Sequence, residues 1–98
     1  MDNHNTKPIY YYLATVNGRI TELPDSRLET LQKAVGGYIA YMPSIDANIS
    51  RLIVNEEGLL MRLPRNPLAS YLAGTVVVGD VVLQSTTNFT EDNNYKWN

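Results

Sequence analysis

The sequence predicts an α+β fold: a mainly antiparallel sheet of five to seven strands with two helices packed on one face, in the order ββαβββαβ(β). Short β-prone segments dominate the 98 residues and are joined by short turns. Two further segments have helical periodicity and end at glycine. No repeat or linker divides the chain, so we expect a flexible N-terminal arm (1–8), one domain (9–84) and a polar, mobile C-terminal tail (85–98).

The first strand is predicted over residues 9–16, "IYYYLATV", which are rich in β-branched and aromatic side chains. Both alternating faces are bulky, which indicates a strand inside the sheet or in contact with another chain. Asn17-Gly18 tolerates the positive φ angles of a hairpin turn, so residues 19–23, "RITEL", are expected to return as a partner strand.

The first helix is predicted to begin after Asp25 or Ser26, either of which can cap free amides. Its apolar stripe consists of Leu28, Leu31, Ala34 and Val35. Gly36-Gly37 follows at the carboxyl end, where carbonyl groups are unpaired and anions are disfavoured. The double glycine therefore predicts a helix stop, not a phosphate loop, followed by strand "YIAYM" (38–42).

Two more strands are predicted at residues 51–55, "RLIVN", and 59–63, "LLMRL", with "EEG" as the turn between them. The second helix should then begin with Asn66 as N-cap and Pro67 at its first position.

The end of the domain is predicted from Gly74, which should stop the second helix, and from "TVVVGDVVLQ" (75–84), a strand interrupted by Gly79-Asp80. The valines at 76–78, the apolar run at 81–83 and the tyrosines of the first strand exceed what two helices on one face can cover. We therefore expect a homodimer or a higher homo-oligomer.

Composition excludes several classes of protein. A formal charge of −2 and a pI near 5.2 make nucleic-acid binding unlikely, because phosphates require a basic face. The absence of cysteine excludes disulfides and cysteine-built zinc sites. No run approaches the ~18 apolar residues of a membrane span, and "MDNHNTKP" does not resemble a signal peptide, so a cytoplasmic protein without membrane contact is expected.

Catalytic groups are scarce. His4, the only histidine, lies in the N-terminal arm, and Glu56 and Glu57 are adjacent, so their side chains should point apart. No nucleophile or zinc-binding motif is present. We therefore expect a protein that is not an enzyme and holds no metal and no cofactor.

The candidate ligand site is "RLPRNP". Arg62 and Arg65 flank the predicted start of the second helix, where free amides favour an anion, and Asn66 would add a polar group. Tyr38 could stack on a base, while Gln32 and Asn55 could bind a ligand. The alternatives are a capped helix with both arginines in water, a tyrosine in a core or interface, and amides that satisfy neighbouring backbone groups.

Three stretches, "LQKAVGGYIA", "LIVNEEGLLMRLPRNPLASYLAG" and "TVVVGDVVL", resemble an uncharacterised domain family carried by bacteriophages, plasmids, bacteria and large algal viruses. The resemblance covers residues 9–83 and departs from the family pattern at Ala40, where an acidic residue is common. It implies a fold and a mobile-element origin but no activity. The matching positions are Leu31, Gln32, Gly36, Gly37, Tyr38, Asn55, Glu56, Gly58, Pro64 and Asn66.

These observations lead to two functional hypotheses. The first is a small non-enzymatic phage or viral accessory protein that sequesters a phosphorylated small molecule, such as a nucleotide-type signal, in an anti-defence role. The alternative is a protein-interaction module that binds a host factor through its strands or tail, without a small-molecule ligand.

Overall fold

A computed structural model of the chain describes residues 8–89. It confirms the α+β class, with five antiparallel strands and two helices. The elements are β1 (Tyr10–Ala14), β2 (Ile20–Glu22), α1 (Leu28–Val35), β3 (Ile39–Pro43), β4 (Ile49–Asn55), α2 (Pro67–Ala73) and β5 (Val81–Ser85). No helix within residues 8–89 is long and apolar enough to cross a membrane.

The strands form one sheet in the order β2-β1-β5-β4-β3. The valine-rich β5 is central, with β1 paired on one side and β4 on the other. The interior position of β1 agrees with its two bulky faces. The two edges of the sheet are β2, which pairs with β1 across the Asn17-Gly18 turn, and β3, which pairs with β4.

The two helices pack on opposite faces of the sheet, so the prediction that both share one face was wrong. Successive side chains of a strand point to opposite faces, and β5 is apolar and buried at positions 81, 82 and 83. Both faces of β5 therefore need a cover. The α1 cluster contains Leu31, Val35, Ile53 and Val82, whereas the α2 cluster includes Leu52, Ala69, Leu72 and Leu83.

This arrangement covers most of the apolar side chains from which an oligomer was predicted, although Val76 remains exposed. Val81, Val82 and Leu83 are fully buried within one chain, so the centre of the sheet has no uncovered apolar face. The homo-oligomer itself stays a prediction, and any interface must use another surface.

Residues 59–63, predicted as a strand, instead belong to a single helical turn. The Leu63 N–H donates to the Gly58 carbonyl and the Arg62 N–H donates to the Leu59 carbonyl, both at 3.1 Å. Arg62 has a φ of 56°, the left-handed conformation that usually ends a helix at glycine. Leu59, Leu60 and Met61 of this turn are exposed instead of pairing with β4, whereas Leu63 is half-buried near Gly58 and Gly79.

The described domain extends to Phe89 instead of ending at residue 84. Ser85 is fully buried, and the ring of Phe89 lies 5.2 Å from that of Tyr12, centre to centre. The Tyr12 hydroxyl donates to Asn88 Oδ1 (3.1 Å) and accepts from the Phe89 N–H (2.9 Å). The rest of the predicted tail, residues 90–98, and residues 1–7 of the predicted arm, with His4, lie outside the described residues.

Candidate functional site

The carboxyl end of α1 is closed by the double glycine, as predicted. The Gln32 carbonyl accepts hydrogen bonds from the N–H groups of Gly36 (2.8 Å) and Gly37 (3.0 Å). Gly36 has a φ of 83°, which a residue with a Cβ adopts only with strain. The backbone of Gln32 therefore ends the helix, and its half-buried side chain has no hydrogen bond within residues 8–89.

Asn55 joins this helix end to the turn after β4. Its Nδ2 donates to the Val35 carbonyl (3.1 Å) and its Oδ1 accepts from the Glu57 N–H (2.8 Å). A Cβ at Gly37 would lie 3.0 Å from this Nδ2, which explains a second glycine at a position without a positive φ. The side chain is buried and its hydrogen bonds satisfy backbone groups. This agrees with the alternative in which the amide of Asn55 serves the fold and does not bind a ligand.

Asn66 has the same kind of role at the start of α2. Its Oδ1 accepts from the Ala69 N–H (3.0 Å), which confirms the predicted N-cap, while its Nδ2 donates to the carbonyls of Ala14 (3.1 Å) and Gly79 (2.8 Å). The residue is fully buried. Its side chain thus connects three segments of the chain and has no exposed atom for a ligand.

Arg62 and Arg65 are exposed, and neither forms an ion pair in the part of the chain that the structure describes. The helix start that they flank is covered by Asn66, and Pro67 supplies no N–H there. The two guanidinium groups are therefore free to meet an anion, but the helix start presents fewer open amides than the sequence predicted, because Asn66 accepts from the Ala69 N–H and Pro67 has none.

Tyr38 is exposed at the entrance to β3, and its carbonyl accepts from the Glu56 N–H (2.8 Å). Its ring is accessible to a partner, as a stacking residue would need to be. Tyr38, Gln32 and Asn55 thus lie around one junction between α1, β3 and β4. Asn66 lies in a second junction, so the predicted residues do not form a single enclosed site.

The beginning of α1 differs from the prediction. Arg27 occupies the N-cap position without a side-chain hydrogen bond, so neither Asp25 nor Ser26 caps this helix. The Asp25 carboxylate instead accepts from the Thr30 hydroxyl and the Arg27 N–H. These two hydrogen bonds, that from Thr30 first, lower the pKa of Asp25 below its usual value. Within residues 8–89 no group of acidic or histidine side chains could hold a metal ion.

A groove of about 440 Å³ opens on the α2 face, beside the end of β4. Met42 of β3 and Val54 of β4 line its sheet side, and Asn55 and Glu56 supply polar atoms. Of the six predicted site residues, only Asn55 lines it. The remaining walls come from two connecting segments, represented by Leu59, Leu60, Val76 and Val78.

The rim of this groove carries large apolar side chains in contact with solvent. Leu59 is 74% exposed, Leu60 83% and Val76 60%. We call these three residues the apolar rim. Sequence reasoning missed them because it placed them in strands, where alternate side chains would be covered. The sequence "GLLM" could have indicated this, because its apolar residues are consecutive and do not alternate with polar residues as in a half-buried strand.

Comparison with known proteins gives a family and no characterised relative. No curated protein matches the sequence, and no solved structure does. The family match covers residues 11–94, so it includes both asparagine junctions, the groove and both exposed arginines. It confirms the resemblance to an uncharacterised domain family. The chain belongs to the family described as Domain of unknown function (DUF3846).

Proposed function

We propose that this chain is a non-catalytic protein-interaction module whose partner covers the groove and its apolar rim. The observation that carries the proposal is the exposure of Leu59, Leu60 and Val76 around a cavity whose sheet side is also apolar. Adjacent exposed side chains of this size are uncommon on a monomer surface and typical of binding sites. Covering one of them contributes about 1.5–3 kcal/mol before the cost of association.

The shape of this surface favours a macromolecule over a small molecule. A small ligand would be enclosed by the 440 Å³ groove and would leave the outward-facing Leu60 in water. A polypeptide can fill the groove and cover the rim at the same time. This is the alternative that the sequence offered, with a narrower surface: residues 81–83 of the predicted valine-rich strand are buried in β5, whereas Val76 and Val78 line the groove.

The experiment is a selection from a random twelve-residue peptide library with the full chain as target. We expect enrichment of peptides that bind the wild type and lose at least tenfold in affinity for Leu60→Asp, because a charge at the rim would have to be desolvated. Leu28→Asp is the matched control, since Leu28 is 57% exposed at the start of α1, on the other face of the sheet. Peptides that bind both variants equally, or no enrichment at all, would contradict the proposal.

Once Asn55 and Asn66 are assigned to the core, the hypothesis of a sequestered phosphorylated molecule keeps Arg62 and Arg65 for the phosphate and leaves Tyr38 exposed for stacking. It predicts that nucleotides raise the melting temperature of the wild type, because a ligand of the folded state stabilises it. The double variant Arg62→Ala, Arg65→Ala should then lose this shift and remain folded. An unchanged melting temperature with every nucleotide and with inorganic phosphate would count against it. A phage or viral origin and an anti-defence role, with a host protein as partner, likewise remain proposals.

A further inference from the structure

Strand β3 is an open edge of the sheet next to the groove. It follows the turn after α1 and pairs only with β4, so its other side has no strand partner within residues 8–89. An open edge presents N–H and C=O groups at every second residue, and an extended chain can pair with them.

The register shows which backbone groups face this edge. The Glu56 N–H donates to the Tyr38 carbonyl, so positions 38 and 56 form a hydrogen-bonded pair of the antiparallel ladder. Because such pairs alternate with open pairs, Ala40 and Met42 direct their backbone groups to β4. Ile39 and Tyr41 therefore direct theirs outward. In agreement, the carbonyl of Asn55, which is opposite Ile39, accepts from the Gly58 N–H instead.

The groove lies on the same side of the sheet as the side chains of Ala40 and Met42. Met42 lines the groove, and its neighbour across the ladder in the α2 cluster is Leu52. A strand added beside β3 would point every second side chain to this face. One of these side chains would then lie beside Met42, at the entrance to the groove.

The opposite edge, β2, lacks these features. It has three residues, and Thr21 and Glu22 are exposed and polar. On β3 the open edge is bounded by Pro43, which has no N–H to offer. The contact is thereby limited to the backbone groups of Ile39 and Tyr41 and the carbonyl of Pro43.

We propose that the partner of the groove is an extended peptide segment that adds to the sheet as a strand along β3. The segment places an apolar side chain in the groove and a basic side chain near Glu56 and Glu57. Glu56 lines the groove, Glu57 is the next residue, and both are exposed with no ion pair in the described chain. The proposal rests on the proposed function and adds the conformation and chemistry of the partner.

The test measures amide hydrogen exchange in the full chain, free and saturated with a library-selected peptide. We expect the N–H groups of Ile39 and Tyr41 to exchange at least tenfold more slowly in the complex, because a new ladder protects them. Ile20 and Glu22, whose N–H groups face outward on the other edge because 11/23 and 15/19 are hydrogen-bonded pairs, are the controls and should not change. Replacing a lysine or arginine of the peptide by glutamate should weaken binding at least tenfold.

A second variant pair isolates the backbone donor. Tyr41→Pro removes an N–H that β4 does not use, while Tyr41→Val keeps it and removes the ring, including its contact with Arg51. We expect the proline variant to bind the peptide at least tenfold more weakly than the valine variant. If the proline variant does not fold, amide exchange in the wild type decides alone.

The outcomes separate the two proposals. Peptides sensitive to Leu60→Asp that leave Ile39 and Tyr41 unprotected would overturn strand addition and leave the interaction module standing. An absence of any selected peptide would overturn both. Concentration-dependent protection of the same amides without peptide, with a doubled mass in light scattering, would identify a second copy of the chain as the occupant and overturn the assignment to a peptide.

Discussion

The two asparagine junctions place polar side chains in the protein interior, whereas the apolar rim places apolar side chains in water. Asn55 and Asn66 are polar and buried, yet each of their amide groups is hydrogen-bonded. The rim residues Leu59, Leu60 and Val76 are apolar and remain in water. The two asparagines make their hydrogen bonds within the chain, whereas the apolar surface of the rim is available to a partner.

The two regions therefore separate residues that stabilise the fold from residues that are available for binding. A buried amide with all partners inside the chain stabilises the fold and offers nothing to a ligand. An exposed leucine contributes little to folding but gains free energy when a partner covers it. Substitutions in the two regions should therefore have separable effects.

The largest effect on stability is expected at Asn66. Asn66→Ala removes the cap of α2 and the donor to the carbonyls of Ala14 and Gly79, which should lower the free energy of unfolding by about 3 kcal/mol. Asn66→Ser keeps a capping oxygen and should lose about 2 kcal/mol. Urea unfolding measures both values. Equal losses for the two variants would show that the cap contributes nothing.

Asn55→Ala should cost about 2 kcal/mol, because the Val35 carbonyl and the Glu57 N–H lose their partner at a buried position. Thermal and urea unfolding would detect this loss. A change below about 0.5 kcal/mol, the usual size for surface substitutions, would show that the hydrogen bonds of Asn55 do not stabilise the fold.

Arg62→Gly should raise the free energy of unfolding by about 0.5–1 kcal/mol, since glycine adopts a φ of 56° without strain. Arg65→Gly is the control: Arg65 has no positive φ, so its replacement should give no gain. Stabilisation by both substitutions would mean that removal of positive charge, and not backbone strain, is the cause.

The smallest effect is expected from Asp25, whose pKa is lowered by the hydrogen bonds from Thr30 and Arg27. A carboxyl group with a lower pKa in the folded state stabilises the protein above its unfolded pKa, and this contribution is lost as the pH falls through the folded pKa. Asp25→Asn should therefore weaken the decrease of the melting temperature as the pH falls below the usual pKa of an aspartate. An unchanged acid profile would contradict the assignment.

Local features of the fold were predictable because they depend on neighbouring residues. The Asn17-Gly18 turn, the glycine stops at Gly36 and Gly74 and the Asn66 cap are each set by the conformations of a few adjacent residues. The placement of α1 and α2 on opposite faces depends on which strands pair with β5, and those partners are distant in sequence.

The candidate site was less predictable for the same reason. "RNP" indicated a helix start, but the carbonyls of Ala14 and Gly79 that bury Asn66 come from other parts of the chain. The groove likewise forms only when the turn at 59–63 and the segment at 76–78 meet beside β4. Neither segment carries a sequence motif that predicts its contact with the other segment.

Leu60→Asp and Asn66→Ser distinguish binding from folding when they are compared in two assays: urea unfolding, and binding of the library-selected peptide at a temperature where both variants are folded. We predict that Leu60→Asp keeps the wild-type free energy of unfolding within about 0.5 kcal/mol and loses at least tenfold in peptide affinity. Asn66→Ser should show the reverse. If Leu60→Asp unfolds as readily as Asn66→Ser, or binds the peptide as well as the wild type, the apolar rim is not the binding surface.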